Sequence, residues 1–286
     1  MAKPTLQRTK PDVVPRVKEG PPEPGRASSA QVRVQGLARR YVLYMPSSVA
    51  DAARTPLLLN LHGSTSYAEE QLWLSGARAA AERHHIAVVA PEAVERSWNV
   101  PAEAERPCDV LYLNAVVSHV RAQLGQESAC SLFATGFSGG ARMLGEYAAR
   151  GAHPLAAMAP VGGVRPPTGC ALERVPAGIA FHGALDQINP YAGGGLPHWQ
   201  SGVEEAMAAW AGQLGASPAA DVELEPGVTQ RLYTGGRQPL ERYCLAQMGH
   251  HWPGCSTALG APFDPPSTAV NATETMLAFF AGVSAW

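Results

Sequence analysis

The chain has 286 residues, of which 46% are hydrophobic and 16% charged, and its formal net charge is −2. That is enough apolar material for one α/β domain of about 250 residues. No run of Lys and Arg stands out to grip nucleic acid or an anionic membrane, and no stretch of about 18 apolar residues exists to span a bilayer. Five cysteines, Cys108, Cys130, Cys170, Cys244 and Cys255, leave at least one unpaired and match no zinc spacing, so no metal is expected.

Residues 1–30 carry Lys3, Arg8, Lys10, Arg16, Lys18 and Arg26 among Pro4, Pro11, Pro15, Pro21, Pro22 and Pro24. Proline blocks helix and little here is apolar, so the segment reads as a disordered or extended tail, with the folded domain running from 31 to 286. A secretory leader needs a contiguous apolar stretch after its charges, and none follows. The expectation is a cytoplasmic protein, or one whose leader has been removed.

The domain begins with an antiparallel strand pair, Gln31–Val34 and Tyr41–Met45, joined near Gly36. Pro56–Leu61 is apolar enough for a strand buried on both faces. Ser66 and Glu69 form a capping-box pattern ahead of one helix over 67–84. Ile86–Ala90 is a further buried strand. Asp109 reads as an N-cap for a helix whose face is Val110, Leu113, Val117, Val120 and Leu124. Strands follow at Ser131–Thr135, Leu155–Pro160 and Ala177–Phe181, with a helix from Ala141 to about Arg150. A helix at Val203–Leu214, strands at Val228–Tyr233 and Glu241–Ala246, and a helix at Ala272–Phe280 complete the order. Strands alternating with helices predict a mostly parallel central sheet with helices on both faces.

Gly136-Phe-Ser-Gly-Gly140 is a G-x-S-x-G pattern between a predicted strand and a predicted helix. That is the setting of a nucleophile elbow, where a tight turn presents the serine and flanking glycines remove Cβ clashes. Ser138 is thus the candidate nucleophile, and it needs a base to take its proton. An oxyanion hole needs two N–H donors. One comes from the residue after the nucleophile, Gly139, and the second is expected from Ser64 in the loop after the strand at 56–61. The orienting acid should follow the serine, and Asp186 stands just past a strand end, where catalytic groups of such sheets gather. His250 and His251 both lie in a later loop that follows a predicted strand. His62 and His182 end strands nearby and read as packing or polar partners. Trp98, Tyr191, Trp199 and Trp252 are candidates for lining the substrate pocket.

Tyr41–Pro46, Leu61–Ser64, Ser97–Asn99, Ala134–Met143, Phe181–Asp186 with Asn189–Tyr191, and Gly249–Gly254 together resemble the polyhydroxybutyrate depolymerase and feruloyl esterase family of α/β-hydrolases, over about residues 31–282. The resemblance implies the α/β-hydrolase fold and a serine carboxylic-ester hydrolase without cofactor. It maps the nucleophile onto Ser138, the acid onto Asp186 and the catalytic histidine onto His250, leaving His251 in a variable place. Leu185-Asp-Gln187 departs from the family's Ala-Asp-Pro but keeps the acid. The implied substrates are hydroxyalkanoate esters, as polymer or oligomer, or alternatively feruloyl or acetyl esters on plant polysaccharide. Family members are commonly exported, which implies an extracellular protein despite the missing leader. A serine peptidase shares the triad, and a catalytically dead binding scaffold would show a broken triad or elbow, neither of which is present.

Overall fold

The computed structural model describes residues 25–126 and 130–284. A hairpin of β1 (Arg26–Val34) and β2 (Leu37–Met45) turns at Gln35-Gly36, both at positive φ (49° and 81°), as a two-residue turn matched to strand twist requires. The first strand pairs along its whole length, from Arg26 opposite Met45 to Val34 opposite Leu37. The expected domain start at 31 therefore falls inside β1. Ser28 and Ser29 are weak apolar signals, but a ladder is held by backbone hydrogen bonds and tolerates small polar side chains. The rest of the expected tail, residues 1–24, lies outside the described residues.

The chain continues through β3 (Leu57–Leu61), α1 (Ala68–Leu74), α2 (Ala77–His84), β4 (Ala87–Pro91), α3 (Asp109–Gln123), β5 (Leu132–Phe137), α4 (Gly139–Arg150), β6 (Ala157–Val161), β7 (Ala177–Gly183), α5 (Val203–Leu214), β8 (Ser217–Pro218), β9 (Val222–Glu225), β10 (Val228–Thr234), β11 (Leu240–Leu245) and α6 (Ala272–Val283). The strands form one sheet in the order β1-β2-β4-β3-β5-β6-β7-β11-β10-β8, with β9 paired to β10. From β4 through β11 the neighbours are parallel, while β1, β2, β8, β9 and β10 make antiparallel margins. The central strands are buried on both faces, as their apolar runs predict. Helices α1, α2 and α6 pack on one face, and α3, α4 and α5 on the other. Among the described residues no helix is long and apolar enough to cross a membrane.

Three local expectations are corrected. The single helix over 67–84 is two helices, broken at Ser75 and at Gly76, whose φ is +61°. The capping box does not form, because Glu69 turns to the Arg40 guanidinium instead, and Tyr67 caps α1 without a side-chain bond. Asp109 is not an N-cap either. It is the first residue of α3, and its buried carboxylate takes Arg39 Nη2 at 2.6 Å and the Asn99 N–H at 2.6 Å. An ionised side chain near a buried arginine finds a stronger partner there than in its own helix end.

The backbone of β7 lies close beneath α5. An added Cβ at Gly178 would stand 2.1 Å from Cη2 of Trp210, a fully buried side chain whose indole N–H donates to the Pro176 carbonyl at 3.2 Å. Rigid packing cannot absorb such an overlap, so Gly178→Ala is expected to destabilise the fold by about 1–3 kcal/mol. A urea denaturation midpoint that does not move would contradict this account of the sheet–helix contact.

Candidate active site

Four parallel strands deliver the candidate residues to one edge. Ser64 follows β3, Ser138 follows β5, Asp186 follows β7 and His250 follows β11, all beyond the carboxyl ends of their strands. Strand order reverses direction between β3 and β5, which opens the crevice where such sheets bind ligands.

Ser138 sits in the turn from β5 to α4 at φ 53°, ψ −112°, a conformation that L side chains rarely adopt. Such strain costs on the order of 1–3 kcal/mol and persists only where the surroundings enforce it. They do so here through close backbone approaches. A Cβ at Gly140 would lie 2.4 Å from the Leu61 carbonyl oxygen, and one at Gly136 would lie 2.7 Å from the carbonyl carbon of Gly140. The Ser138 N–H donates to the Val161 carbonyl at 2.9 Å, tying the turn to β6.

Asp186 is buried and fully engaged. Its Oδ1 accepts the N–H groups of Ile188 (2.8 Å) and Asn189 (2.7 Å), while Oδ2 lies 2.6 Å from His250 Nδ1 and 3.1 Å from His182 Nε2. Burial by itself would raise the carboxyl's pKa, but the hydrogen bonds from His182 and His250 outweigh it and hold the group well below the usual carboxylate range. His250 is buried too. Desolvation pushes its pKa below 6.5, against the pull of Asp186, so the ring is neutral at neutral pH. The Nδ1–H then donates to Asp186, and Nε2 is left with its lone pair.

His251 faces elsewhere. Its Nδ1 accepts the Trp252 N–H at 3.0 Å and its Nε2 donates to the Thr257 carbonyl at 2.9 Å, so it braces the loop. His182 is the polar partner that its position suggested, sharing its Nε2–H between Asp186 and the Asn189 carbonyl at 2.8 Å.

The loop after β3 is pinned from behind. His62 Nδ1–H donates to the Gly63 carbonyl at 2.7 Å, and Nε2 accepts the Ala93 N–H at 3.0 Å. Burial lowers its pKa to about 4, which keeps both roles intact near neutrality. Trp98 Nε1–H donates to the His62 carbonyl at 2.7 Å. Ser64 is brought against the elbow, with its amide nitrogen 3.3 Å from the position a Cβ on Gly139 would take. Gly139 opens α4, where the first N–H groups of a helix have no acceptor within it.

Ser138 and His250 both line a cleft of about 40 Å³, walled by Gly63, Ser64, Phe137, Trp73, Leu259 and Phe263 among others. None of the four aromatic candidates is among the residues that wall this cleft. Trp98 is held against His62. Trp199 stacks on His182 with ring centroids 5.6 Å apart, and Tyr191 meets the same imidazole edge-on at 5.8 Å. Trp252 donates its indole N–H to Thr273 Oγ1 at 3.0 Å. The rings of Trp98, Tyr191 and Trp199 thus pack against His62 and His182, while that of Trp252 packs against Phe137. The aromatic groups at the cleft are Trp73, Phe137 and Phe263. Phe137 carried a signal, since it precedes the serine in the G-x-S-x-G pattern, whereas nothing local marks Trp73 or Phe263. The five cysteines are all unpaired thiols.

No protein-family model matches the chain. It is 37% identical over 70 residues to S-formylglutathione hydrolase of Arabidopsis thaliana, covering 24% of this chain and 25% of that protein. It is 30% identical over 190 residues to NocK of Nocardia uniformis subsp. tsuyamanensis, described as an esterase, covering 62% of this chain and 54% of that protein. The chain thus spans a quarter and about half of the lengths of these two relatives. Acetyl xylan esterase from Aspergillus awamori superposes with a TM-score of 0.59 at 16% identity, over 78% of this chain and 94% of that one. With this likeness and the sheet order above, the chain has the α/β-hydrolase fold.

The depressed pKa values of His250, His62 and Asp186 act on stability with the same sign. Below 6.5 the unfolded chain protonates two histidines that the folded chain keeps neutral, and below about 4 it protonates a carboxyl that the folded chain keeps ionised. In both windows the unfolded state binds more protons, so stability rises with pH. Chemical denaturation should give lower stability at pH 5 than at pH 7.5, with a shallower dependence in His250→Asn. A flat wild-type profile over that range would show that neither His250 nor His62 is held neutral by the fold.

Proposed function

We propose that the chain is a serine carboxylic-ester hydrolase that works through an acyl-enzyme on Ser138. The observation that carries this reading is the 2.6 Å contact between Asp186 Oδ2 and His250 Nδ1, made by a neutral imidazole that shares a cleft with a serine held at φ 53°. His250 Nε2 takes the proton from Ser138 Oγ as the oxygen attacks the ester carbonyl. The tetrahedral oxyanion is held by the amides of Gly139 and Ser64, whose loop is anchored through His62 and Trp98. The alcohol departs with the proton from His250. Water, deprotonated by the same nitrogen, then releases the acid and restores Ser138. Asp186 keeps the proton on Nδ1 and stabilises the imidazolium as it forms. The chemistry needs no metal or organic cofactor.

The preferred substrates are hydroxyalkanoate esters, as polymer or oligomer. The sequence resemblance supports this, and an apolar wall of Trp73, Leu74, Phe137, Leu259 and Phe263 suits short acyl groups. A panel of polyhydroxybutyrate, 3-hydroxybutyrate oligomers, methyl ferulate, acetylated xylan and p-nitrophenyl esters of graded length separates this from feruloyl or acetyl ester hydrolysis by which member is turned over fastest.

Ser138→Ala is expected to lower kcat on p-nitrophenyl butyrate by at least about a thousandfold, and Asp186→Asn by about ten-thousandfold with the fold intact. Near-normal turnover by Ser138→Ala would end the assignment. His250→Ala should abolish turnover while His251→Ala lowers it mildly through its loop, so equal losses would remove the proposed base. Because the base must be neutral and its pKa is depressed, the acid limb of the kcat/KM profile should have its midpoint below 6.5. A midpoint above 7 would mean that the imidazole is not desolvated in the working enzyme.

A further inference from the structure

Beside the elbow lies a second, larger cavity of about 460 Å³, lined by Arg142, Arg165, His198, Pro166, Gln200 and Glu205 among others. Its cations have an unusual accounting. Arg142 is one turn after Ser138 on α4, with its N–H on the Ser138 carbonyl at 3.1 Å. The side chain is nine-tenths buried, its Nε has no partner, and its one hydrogen bond runs from Nη1 to the Val100 carbonyl at a long 3.3 Å. Its Nη2 lies 3.7 Å from where a Cβ on Gly139 would stand, so the guanidinium borders the proposed oxyanion hole.

Arg165 approaches from the loop after β6. It is held rigidly, with its guanidinium carbon 3.7 Å above the Trp199 ring and its donors on the carbonyls of Val164 (2.9 Å), His198 (3.1 Å) and Ser201 (3.4 Å). Among the described residues, no carboxylate pairs with either arginine. Glu146 and Glu205 also line the cavity, but Glu146 is taken by Arg150, and Glu205, which is exposed, acts on Arg165 only through space without an ion pair.

A buried guanidinium without a counter-charge is costly, and proteins ordinarily supply one. Arg142 and Arg165 also repel each other. Burial and that neighbour lower the pKa of Arg165 to about 10 against the opposing pull of Glu205, and His198 is shifted down by burial and by both arginines. Among the described residues neither arginine has a carboxylate within ion-pair range, and Arg142 keeps a buried donor without a partner beside an open cavity. A ligand carboxylate would satisfy both, because the planar guanidinium fork matches its two oxygens.

We infer that this cavity binds a carboxylate carried by the ester itself, so that the preferred substrates are anionic esters such as half-esters of dicarboxylic acids or oligoesters ending in a free acid. Arg165 and Arg142 hold the carboxylate while the scissile carbonyl lies at Ser138. This inference rests on the ester-hydrolase reading for its chemistry, but the anion site can be measured without turnover.

The test compares charged and neutral esters of matched shape: phenyl hydrogen adipate against methyl phenyl adipate for a carboxylate on the acyl side, and 4-acetoxybutanoate against its methyl ester for one on the alcohol side. In at least one pair the charged member should have a kcat/KM at least tenfold higher, and Arg165→Gln should reduce that ratio to threefold or less. In parallel, calorimetry on Ser138→Ala should show adipate binding at least tenfold tighter than dimethyl adipate, an advantage lost when sodium chloride is raised to 1 M. This arm needs no arginine variant to fold. Ratios within twofold of unity in both pairs, or equal binding of adipate and its dimethyl ester, would overturn the inference while leaving esterase activity in place. Adipate binding without turnover of any ester would instead uphold the anion site and refute the hydrolase reading.

Discussion

The buried hydrogen bond between Asp186 and His250 is the contact on which the rest of the site depends. A carboxylate removed from water must have its oxygens occupied, and here two backbone N–H groups hold Oδ1 while two imidazoles hold Oδ2. Each bond has a geometric consequence. The two amides curl the segment after β7 around the acid. His250 is drawn in from the loop after β11, and with Nδ1 committed its remaining nitrogen has to serve the cleft. Burial lowers the pKa of the imidazole, and the hydrogen bonds from the two imidazoles lower that of the carboxyl against its own burial, so an ionised carboxylate and a neutral imidazole coexist around neutral pH.

The other half of the site is made by close backbone approach. Gly140 lets α4 come down on the Leu61 and His62 carbonyls, and Gly163 allows the loop after β6 within 2.4 Å, measured from an ideal Cβ, of the Ser138 carbonyl. Strain at Ser138 is thereby maintained by the sheet. The loop carrying Ser64 is in turn fixed by a neutral histidine and an indole, and the indole's own loop is tied down where Asn99 meets the Arg39–Asp109 ion pair. Preorganised dipoles of this kind are effective because they need no rearrangement as charge develops.

Ser138 lines an apolar cleft walled by Trp73, Phe137 and Phe263, while a separate cavity edged by Arg142, Arg165 and His198 reaches the elbow through Arg142. Apolar surface discriminates weakly between similar acyl groups, whereas a desolvated cation discriminates strongly between a charged and a neutral partner. The cationic side is therefore where selectivity is inferred to reside.

The central strands, the face of α3, the hairpin turn and the elbow were all legible in the residues, because each depends on neighbours a few positions away: apolar runs, three-and-four spacing, and glycines around a serine. Asp186 and His250 were legible from chain order, strand ends and family resemblance, and the structure brings them within 2.6 Å of each other. What needed the tertiary structure were features whose partners are distant in the chain. Glu69 leaves its capping position for Arg40, Asp109 leaves its own for Arg39, and the break at Gly76 depends on how two short helices pack. Three of the four aromatic candidates pack on histidines and Trp252 on Phe137, since which side of a loop a ring faces is decided by what packs against it. The pairing of Arg142 with Arg165 is invisible in sequence for the same reason: local preference acts within a turn or two, while burial and charge compensation are properties of the assembled sheet edge.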